Sequence, residues 1–444
     1  MAFDWAGMAR AASGLADDVR ELLDPSLVGV APLFRVAFTN LIESKQAREQ
    51  ADSTVWLMTG DIPAMWLRDS AAQVRPYLPL AVRDERFAEL LIAVNQRQFR
   101  FITHDPYANA FNETASGAHW DAADEGPVSP WVWERKFELD SLAYPIALAW
   151  DIAVLTGHTD HLDGTFTAAA RTIVATWDAE ADHTGRSSYR FSRPGAAPLD
   201  TLAFGGHGAP VHQNGLLWEG FRPSDDACTY NLSIPGNAFT AVAARKLAAL
   251  IGDQEPGLAS RALDHAGRID AAIIREGLVE LDGFGQILAY EIDGMGHANL
   301  MDDANIPSLL SLPYLGWCEA SDSLYLRTRR FVLSPANPYY YEGAYAAGVG
   351  SPHVGEQRRV WPIALAMQAL TANGTDERRE LLRVLAATDA GTGLLHEAFH
   401  VDNPADFTRA WFGWANALFS EAVLVEAGLM MAGHCPLRLR QAVA

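Results

Sequence analysis

Amphipathic helical stripes recur along nearly the whole chain, each closed by a loop rich in glycine, proline and aspartate, and this alternation limits the folds open to it. Phe34, Phe38 and Leu41 share one helical face, as do Phe166, Ala170, Ile173 and Trp177, and again Leu258, Ala262, Ile269 and Ile273. Further helical stretches run near 86–102, 138–155, 236–251, 303–316, 357–372, 377–387 and 411–431, each punctuated at its ends. Strand signals are few: residues 54–58, and a hairpin near 277–292 turning at Asp282-Gly283. No low-complexity linker and no shift of composition divides the 444 residues, so one domain over 1–444 is expected. An all-α chain of roughly ten to twelve helices must bury every stripe. A closed double ring of helix pairs does this and gathers the loops at one mouth.

Charge and cysteine usage narrow the function. With 34 basic against 55 acidic residues the net charge is −21, so neither nucleic acid nor an anionic membrane is an expected partner and a neutral substrate fits better. Cys228, Cys318 and Cys435 are widely spaced and odd in number, which suits neither a disulfide framework nor a zinc pattern; they read as reduced thiols. The opening residues lack an apolar run of signal-peptide length, and no later run looks long and charge-free enough to span a bilayer. A cytoplasmic location is expected.

The chemistry sits in the polar, aromatic-rich stretches between helices. In Thr59–Tyr77, Asp61, Arg68 and Asp69 are interleaved with Ile62, Met65, Trp66 and Leu67, a setting where unpaired charge is costly. Asp61-Ile62-Pro63 reads as a turn, and a helix is expected to start at Asp69 or Ser70. The group forms either a sugar subsite or a buried Arg–Asp pair that pins a loop. In Trp133–Asp140, the acids Glu134, Glu138 and Asp140 crowd a helix start; the macrodipole alone accounts for Glu134 and Glu138, and Asp140 stays open. In Gly220–Asn237, Asp225 and Asp226 are adjacent acids that repel, so one held protonated would serve as a general acid, while helix capping explains them as well. Gly296–Asn305 carries His297, Asn299, Asp302, Asp303 and Asn305 without HxxxH, HExxH or CxxC spacing, so sugar hydroxyls or local capping rank ahead of a metal. Gly348–His353 is a glycine loop lacking the Lys-Ser/Thr ending of a phosphate-binding loop; it is either backbone approaching a ligand or a tight turn capped by His353. Glu397 lies between His396 and His400, before a helix lined by Trp411 and Trp414, and is the strongest local candidate for a general base; a pair with Arg409 is the alternative.

Taken together, TGDIPAMWLRDSAAQVRPYL, ERKFELDSLAYPI, GFRPSDDACTYNLSIPGNAF, HANLMDDANIPSLLSLPYLG, GVGSPH, and LLHEAFH with FTRAWFGWANALF resemble the signatures of glycoside hydrolase family 125, exo-acting α-1,6-mannosidases. The resemblance runs from about Thr54 to Glu421 and keeps its order. It implies a single (α/α)6 barrel, inversion at the anomeric carbon, an α-mannoside oligosaccharide substrate, and neither metal nor cofactor. By motif, the acid falls at Asp225 or Asp226, with Asp225 preferred, and the base at Glu397. Asp61, Arg68, Asp69, Asp140, His297, Asn299, Asp302, Asp303 and His353 would then bind the terminal mannose, with Trp66 as a stacking wall. The alternatives are an inverting glucosidase, a uronate lyase or a calcium-dependent mannosidase on a similar scaffold, and a non-catalytic glycan-binding protein.

Overall fold

The computed structural model describes residues 3–437 apart from 45, 127 and 356. Among them the helices are α1 (Trp5–Leu22), α2 (Ala31–Glu43), α3 (Leu67–Val74), α4 (Leu78–Ala81), α5 (Glu85–His104), α6 (Leu139–Thr156), α7 (Gly164–Glu180), α8 (His183–Arg186), α9 (Ala203–Gly206), α10 (Ile234–Ile251), α11 (Pro256–Glu276), α12 (Leu312–Leu315), α13 (Ser323–Val332), α14 (Pro362–Leu370), α15 (Thr375–Ala387) and α16 (Gly413–Glu426). Two kinds alternate along the chain. Every residue of α3 is buried, and so is α16 from Gly413 to Leu424; α6, α10 and α14 are buried on nearly all sides. Helices apolar nearly all round, as α6, α10, α14 and α16 are, belong inside a fold, whereas α3 is enclosed together with charged residues, Arg68 and Asp69, that pair there. By contrast α5, α7, α11 and α15 each bury one face. The enclosed helices pack in succession, α16 on α3, α3 on α6, α6 on α10, α10 on α12, and α14 on α16. Outside them lie the one-sided helices, including α2 on α16, α5 on α6, α11 on α10 and α15 on α14.

Short antiparallel strands occupy the connections. They are β1 (Ala47–Glu49) with β2 (Val55–Leu57); β3 (Met65–Trp66), β4 (Ala110–Phe111) and β5 (Val132–Glu134) in that order; β6 (Leu232–Ser233), joined through β9 (Glu291–Ile292) to β10 (Ala298–Asn299); the hairpin β7 (Leu278–Leu281) and β8 (Gly285–Leu288); β11 (Tyr340–Glu342) with β12 (Ala347–Val349); and β13 (Arg359–Val360), β14 (Ala398–His400) and β15 (Asn403–Thr408) in order. The 54–58 strand and the 277–292 hairpin match the expectation. Most of the others do not, because strands of two or three residues carry no alternation to read.

Three local expectations need correction. The first concerns α3, which begins at Leu67 rather than at Asp69 or Ser70: β3 runs straight into it, and the Leu67 amide donates to the Asn109 carbonyl at 3.0 Å. Stretch 303–316 is helical only at α12, because the Asp302 carboxylate accepts from the Leu309 and Leu310 amides at 2.7 and 3.0 Å, satisfying those donors outside a helix. Finally, α6 is long and apolar enough by composition to cross a membrane, contrary to the expectation, yet 78% of it is buried within the protein.

At the C-terminal ends of the enclosed helices a buried polar cluster ties the fold together. Arg75, just beyond α3, donates Nε–H to Asp151 of α6 at 3.0 Å and Nη1–H to Tyr314 of α12 at 3.2 Å, and it also bonds Glu421 of α16. His434 Nδ1 lies 2.7 Å and Lys246 Nζ 4.0 Å from Asp151. Burial would raise the Asp151 pKa, but His434, Lys246 and Arg75 together hold it well below the usual carboxylate range. Removing one partner leaves buried charge uncompensated, so Asp151→Ala is expected to cost about 3–5 kcal/mol, read as a drop in the denaturant midpoint. Asp17→Ala, which breaks an exposed pair with Arg35, is the control and should move the midpoint far less.

Candidate functional site

At the opposite ends of these helices, their first turns and the loops entering them surround a cavity of about 390 Å³. Arg68 and Asp69 come from the first turn of α3, Trp361 from the residue before α14, Phe412 and Trp414 from the start of α16, and Pro223, Ser224 and Asp225 from the loop leading to α10. Thr59, Ile62, Trp66, Asn305, His353, Glu397 and Arg409 complete the wall. Three tryptophans, Trp66, Trp361 and Trp414, are buried there with indole N–H groups that find no acceptor in the protein. Arg68 lies over the Trp414 ring, 5.1 Å from its centroid, which fixes the guanidinium against an apolar wall.

Asp225 is held on a rigid turn. Arg222 donates two bonds to Glu291, at 2.6 and 3.0 Å, and Glu291 also accepts from the Thr229 and Tyr230 amides, so both arms of the loop are anchored to β9. Its backbone adopts φ 67, an unfavourable value for most residues but tolerated by Asp and Asn. The Asp225 carbonyl accepts from Lys136 Nζ at 2.7 Å, and its carboxylate from Asn109 Nδ2 at 3.2 Å and Arg68 Nη2 at 3.5 Å. Burial would raise its pKa, yet Arg68, a hydrogen bond with Glu138, Lys136 and His353 together hold it below the usual value.

Glu397, nearly buried, accepts from Arg409 Nη1 at 3.3 Å, and Arg409 also bonds Asp61 through Nε at 3.0 Å. The Glu397–Arg409 pair is therefore real, and both members line the cavity. Asp61 stands behind Arg409, outside the lining. Asp226 is buried outside the cavity wall, and its Oδ1 lies 2.9 Å from Nδ1 of His353, a ring that lines the cavity. Burial opposes protonation of His353, but this bond and the charges of Asp226, Glu397 and Asp225 push its pKa up to about 9. The folded value is raised above the free 6.5, so stability from the pair is fully present below about pH 6.5 and is lost as pH rises through about 9. The difference in unfolding free energy between wild type and His353→Gln should therefore shrink as denaturant titrations are moved from neutral pH to above pH 9.

The remaining candidates lie outside the cavity wall. Asp140, on α6, sits behind Arg68 with Oδ2 at 3.4 Å from its Nη1. Asp303 accepts from Ser224 and Ser351 hydroxyls at 3.3 and 3.1 Å, tying the Asp225 loop to the glycine loop. In that loop Gly350 is required by the protein's own backbone, since a Cβ there would lie 2.2 Å from the Arg359 carbonyl. Asp302 is consumed by the two amide bonds described above. Asn299 donates to Glu291 at 3.0 Å, and the exposed His297 ring is 2.6 Å from Asp293. Asn305, weighed for sugar hydroxyls or capping, lines the cavity; Arg409, Trp361 and Phe412 line it too although sequence reasoning gave them no binding role, and the aromatic run before α16 was the signal for the last. Among the described residues no three His, Cys, Asp or Glu side chains form a metal-ligating group.

A sequence model of metal-independent α-mannosidases (GH125) matches residues 28–424. The meiotically up-regulated gene 157 protein of Schizosaccharomyces pombe is 38% identical over 429 residues, covering 92% of this chain and 84% of that one. A Streptococcus pneumoniae metal-independent α-mannosidase, solved in a non-productive complex with α-1,6-mannobiose, is 39% identical and superposes with a TM-score of 0.91 over 94% of this chain and 98% of that one. A bacterial glucoamylase bound to acarbose, at 13% identity, shares the fold with a TM-score of 0.57 over 93% of this chain and 58% of its own. With catalytic-type carboxylates and three tryptophans around one cavity, and with likeness of this extent, the chain belongs to the GH125 metal-independent α-mannosidases.

Proposed function

We propose that this protein is an exo-acting, inverting α-1,6-mannosidase in which Asp225 is the general acid and Glu397 the general base. The observation that carries the reading is that these two carboxyl groups, from loops 172 residues apart, line the same aromatic cavity. Water deprotonated by Glu397 attacks the anomeric carbon from one face while Asp225 protonates the departing oxygen on the other. Arg68, Asp69 and Arg409 offer charged partners to the ring hydroxyls, and the indoles of Trp66, Trp361 and Trp414 offer apolar walls to the C–H faces of the sugar. Asp226 holds His353; Asp61, Asp140 and Asp303 hold Arg409, Arg68 and the Asp225 loop. His297, Asn299 and Asp302 receive no sugar contact in this reading.

The enclosed helices, with one buried cluster at their C-terminal ends and the cavity at their N-terminal ends, support a single closed (α/α)6 barrel spanning 1–444. Free cysteines at positions 228, 318 and 435 support a reducing, cytoplasmic location. The test is incubation with α-1,6-mannobiose in excess chelator while anomeric protons are followed by NMR from the first minutes. β-Mannose is expected first. α-Mannose first would remove the roles given to both carboxylates, and dependence on added metal would remove the metal-free reading.

A further inference from the structure

A general acid must carry a proton when substrate arrives, yet the surroundings of Asp225 favour its anion. The geometry around Arg68 shows where the proton can rest. This one guanidinium contacts four carboxyl groups: Asp69 at 3.3 Å, Glu138 at 2.6 Å, Asp140 at 3.4 Å and Asp225 at 3.5 Å. Asp69, Glu138 and Asp140 are almost wholly buried. The neighbouring cations are shared with Glu134: Lys136 and Arg193 lie 3.7 and 3.0 Å from it, while Lys136 Nζ also bonds the Asp225 carbonyl at 2.7 Å. Three buried carboxyls, with the half-buried Asp225 beside them, crowd one buried guanidinium, and that many anions are not sustained away from water, so the cluster retains protons at neutral pH.

Among these groups Glu138 is placed to share its proton with Asp225. Asn109 Nδ2 lies 3.4 Å from Glu138 Oε1, 3.2 Å from Asp225 Oδ1 and 3.1 Å from Glu134 Oε2, bringing three carboxyls to one amide; of these Glu134 is compensated by Arg193 and Lys136, which leaves Glu138 and Asp225 to share a proton. Glu138 Oε2 is committed to Arg68 and to the Ser141 hydroxyl at 3.1 Å, leaving Oε1 for the shared proton. We propose that Glu138 stores the proton that Asp225 delivers to the glycosidic oxygen, an inference that rests on the acid–base reading above. Glu138 touches no substrate; it is a positioning residue acting through Asp225. Burial pushes the Glu138 pKa well above the usual range in spite of Arg68, opposite to the shift at Asp225. The groups facing Glu138 are Arg68 from α3, Asn109, Asp225, and Ser141 and Asp140 from α6, with Asp69, Glu134 and Lys136 beyond them.

In the step, the Glu138 O–H bond breaks as an Asp225 O–H bond forms. The Asp225 proton then passes to the leaving oxygen as the C–O bond breaks, its electron pair staying on oxygen. Water bonds the anomeric carbon and gives its proton to Glu397, from which solvent returns one proton to the Glu138–Asp225 pair. One water is consumed and the enzyme is restored.

Glu138→Gln tests this, because glutamine keeps the shape but donates an amide N–H to Asp225 and favours its anion. On α-1,6-mannobiose, kcat at neutral pH is expected to fall by about 10²-fold with KM little changed, and the alkaline limb of kcat should move to lower pH. On 2,4-dinitrophenyl α-mannoside, whose leaving group needs no proton, turnover should stay near wild type. Equal losses on both substrates, or an unmoved alkaline limb, would overturn the proposal. Should Glu138→Gln fail to fold, Glu138→Asp carries the same comparison: a loss confined to mannobiose is expected, and an equal loss on both substrates overturns it. Asp225→Asn on the same two substrates separates the layers. If it spares the aryl mannoside and Glu138→Gln behaves as wild type, only the proton store is lost; if it affects both substrates equally, the acid assignment itself fails.

Discussion

Glu397→Gln is expected to lower kcat on α-1,6-mannobiose by about 10²–10⁴-fold while leaving the thermal midpoint almost unchanged. The activity loss follows from chemistry: an amide cannot take the proton of the attacking water. Stability is spared because the glutamine oxygen still accepts from Arg409, and Arg409 keeps its second carboxylate, Asp61. A net change of about 1 kcal/mol is the scale for one altered hydrogen bond. Azide supplies the decisive check, since it attacks without needing deprotonation. Added azide should restore turnover in the variant and yield β-mannosyl azide, the inverted product. Wild-type turnover in Glu397→Gln without azide would remove Glu397 as the base, whatever its place in the cavity.

Asp225→Asn is the second large effect, again about 10²–10⁴-fold on mannobiose. Asparagine is the replacement of choice on backbone grounds as well, because it tolerates the left-handed φ of 67 at this position, where alanine would add strain to the chemical loss. It also still accepts from Asn109 and Arg68, so the turn should persist. Asp226→Asn serves as the comparison. There the loss should come through His353, whose charge depends on the 2.9 Å bond to Asp226, and should fall on mannobiose and aryl mannoside alike. If instead Asp226→Asn spares the aryl substrate and Asp225→Asn does not, the acid moves by one residue.

The adjacent aspartates show how far a sequence reaches. Both were legible as candidates, since adjacent acids repel and one held protonated would serve as a general acid, although helix capping explained them as well. Their different fates were not, because they depend on a backbone turn that sends one side chain into the cavity and the other to His353, 127 residues away. Glu138 was assigned to the macrodipole for a similar reason: next to a helix start, an acid needs no further explanation until Arg68 arrives from another helix.

What the sequence determined by itself is everything carried by local order: helical stripes, their punctuation, the loops that hold polar and aromatic residues together, and the family those loops resemble. These are written within a few turns of chain, where periodicity and backbone chemistry act directly. Only the tertiary structure decided which charges meet. Arg68 with Glu138, Asp140 and Asp225, Arg409 with Asp61, and Arg75 among three helices are pairings between residues 70 to 348 positions apart. No local pattern encodes them, because a buried charge is stabilised by whichever partner folding brings within a few ångströms.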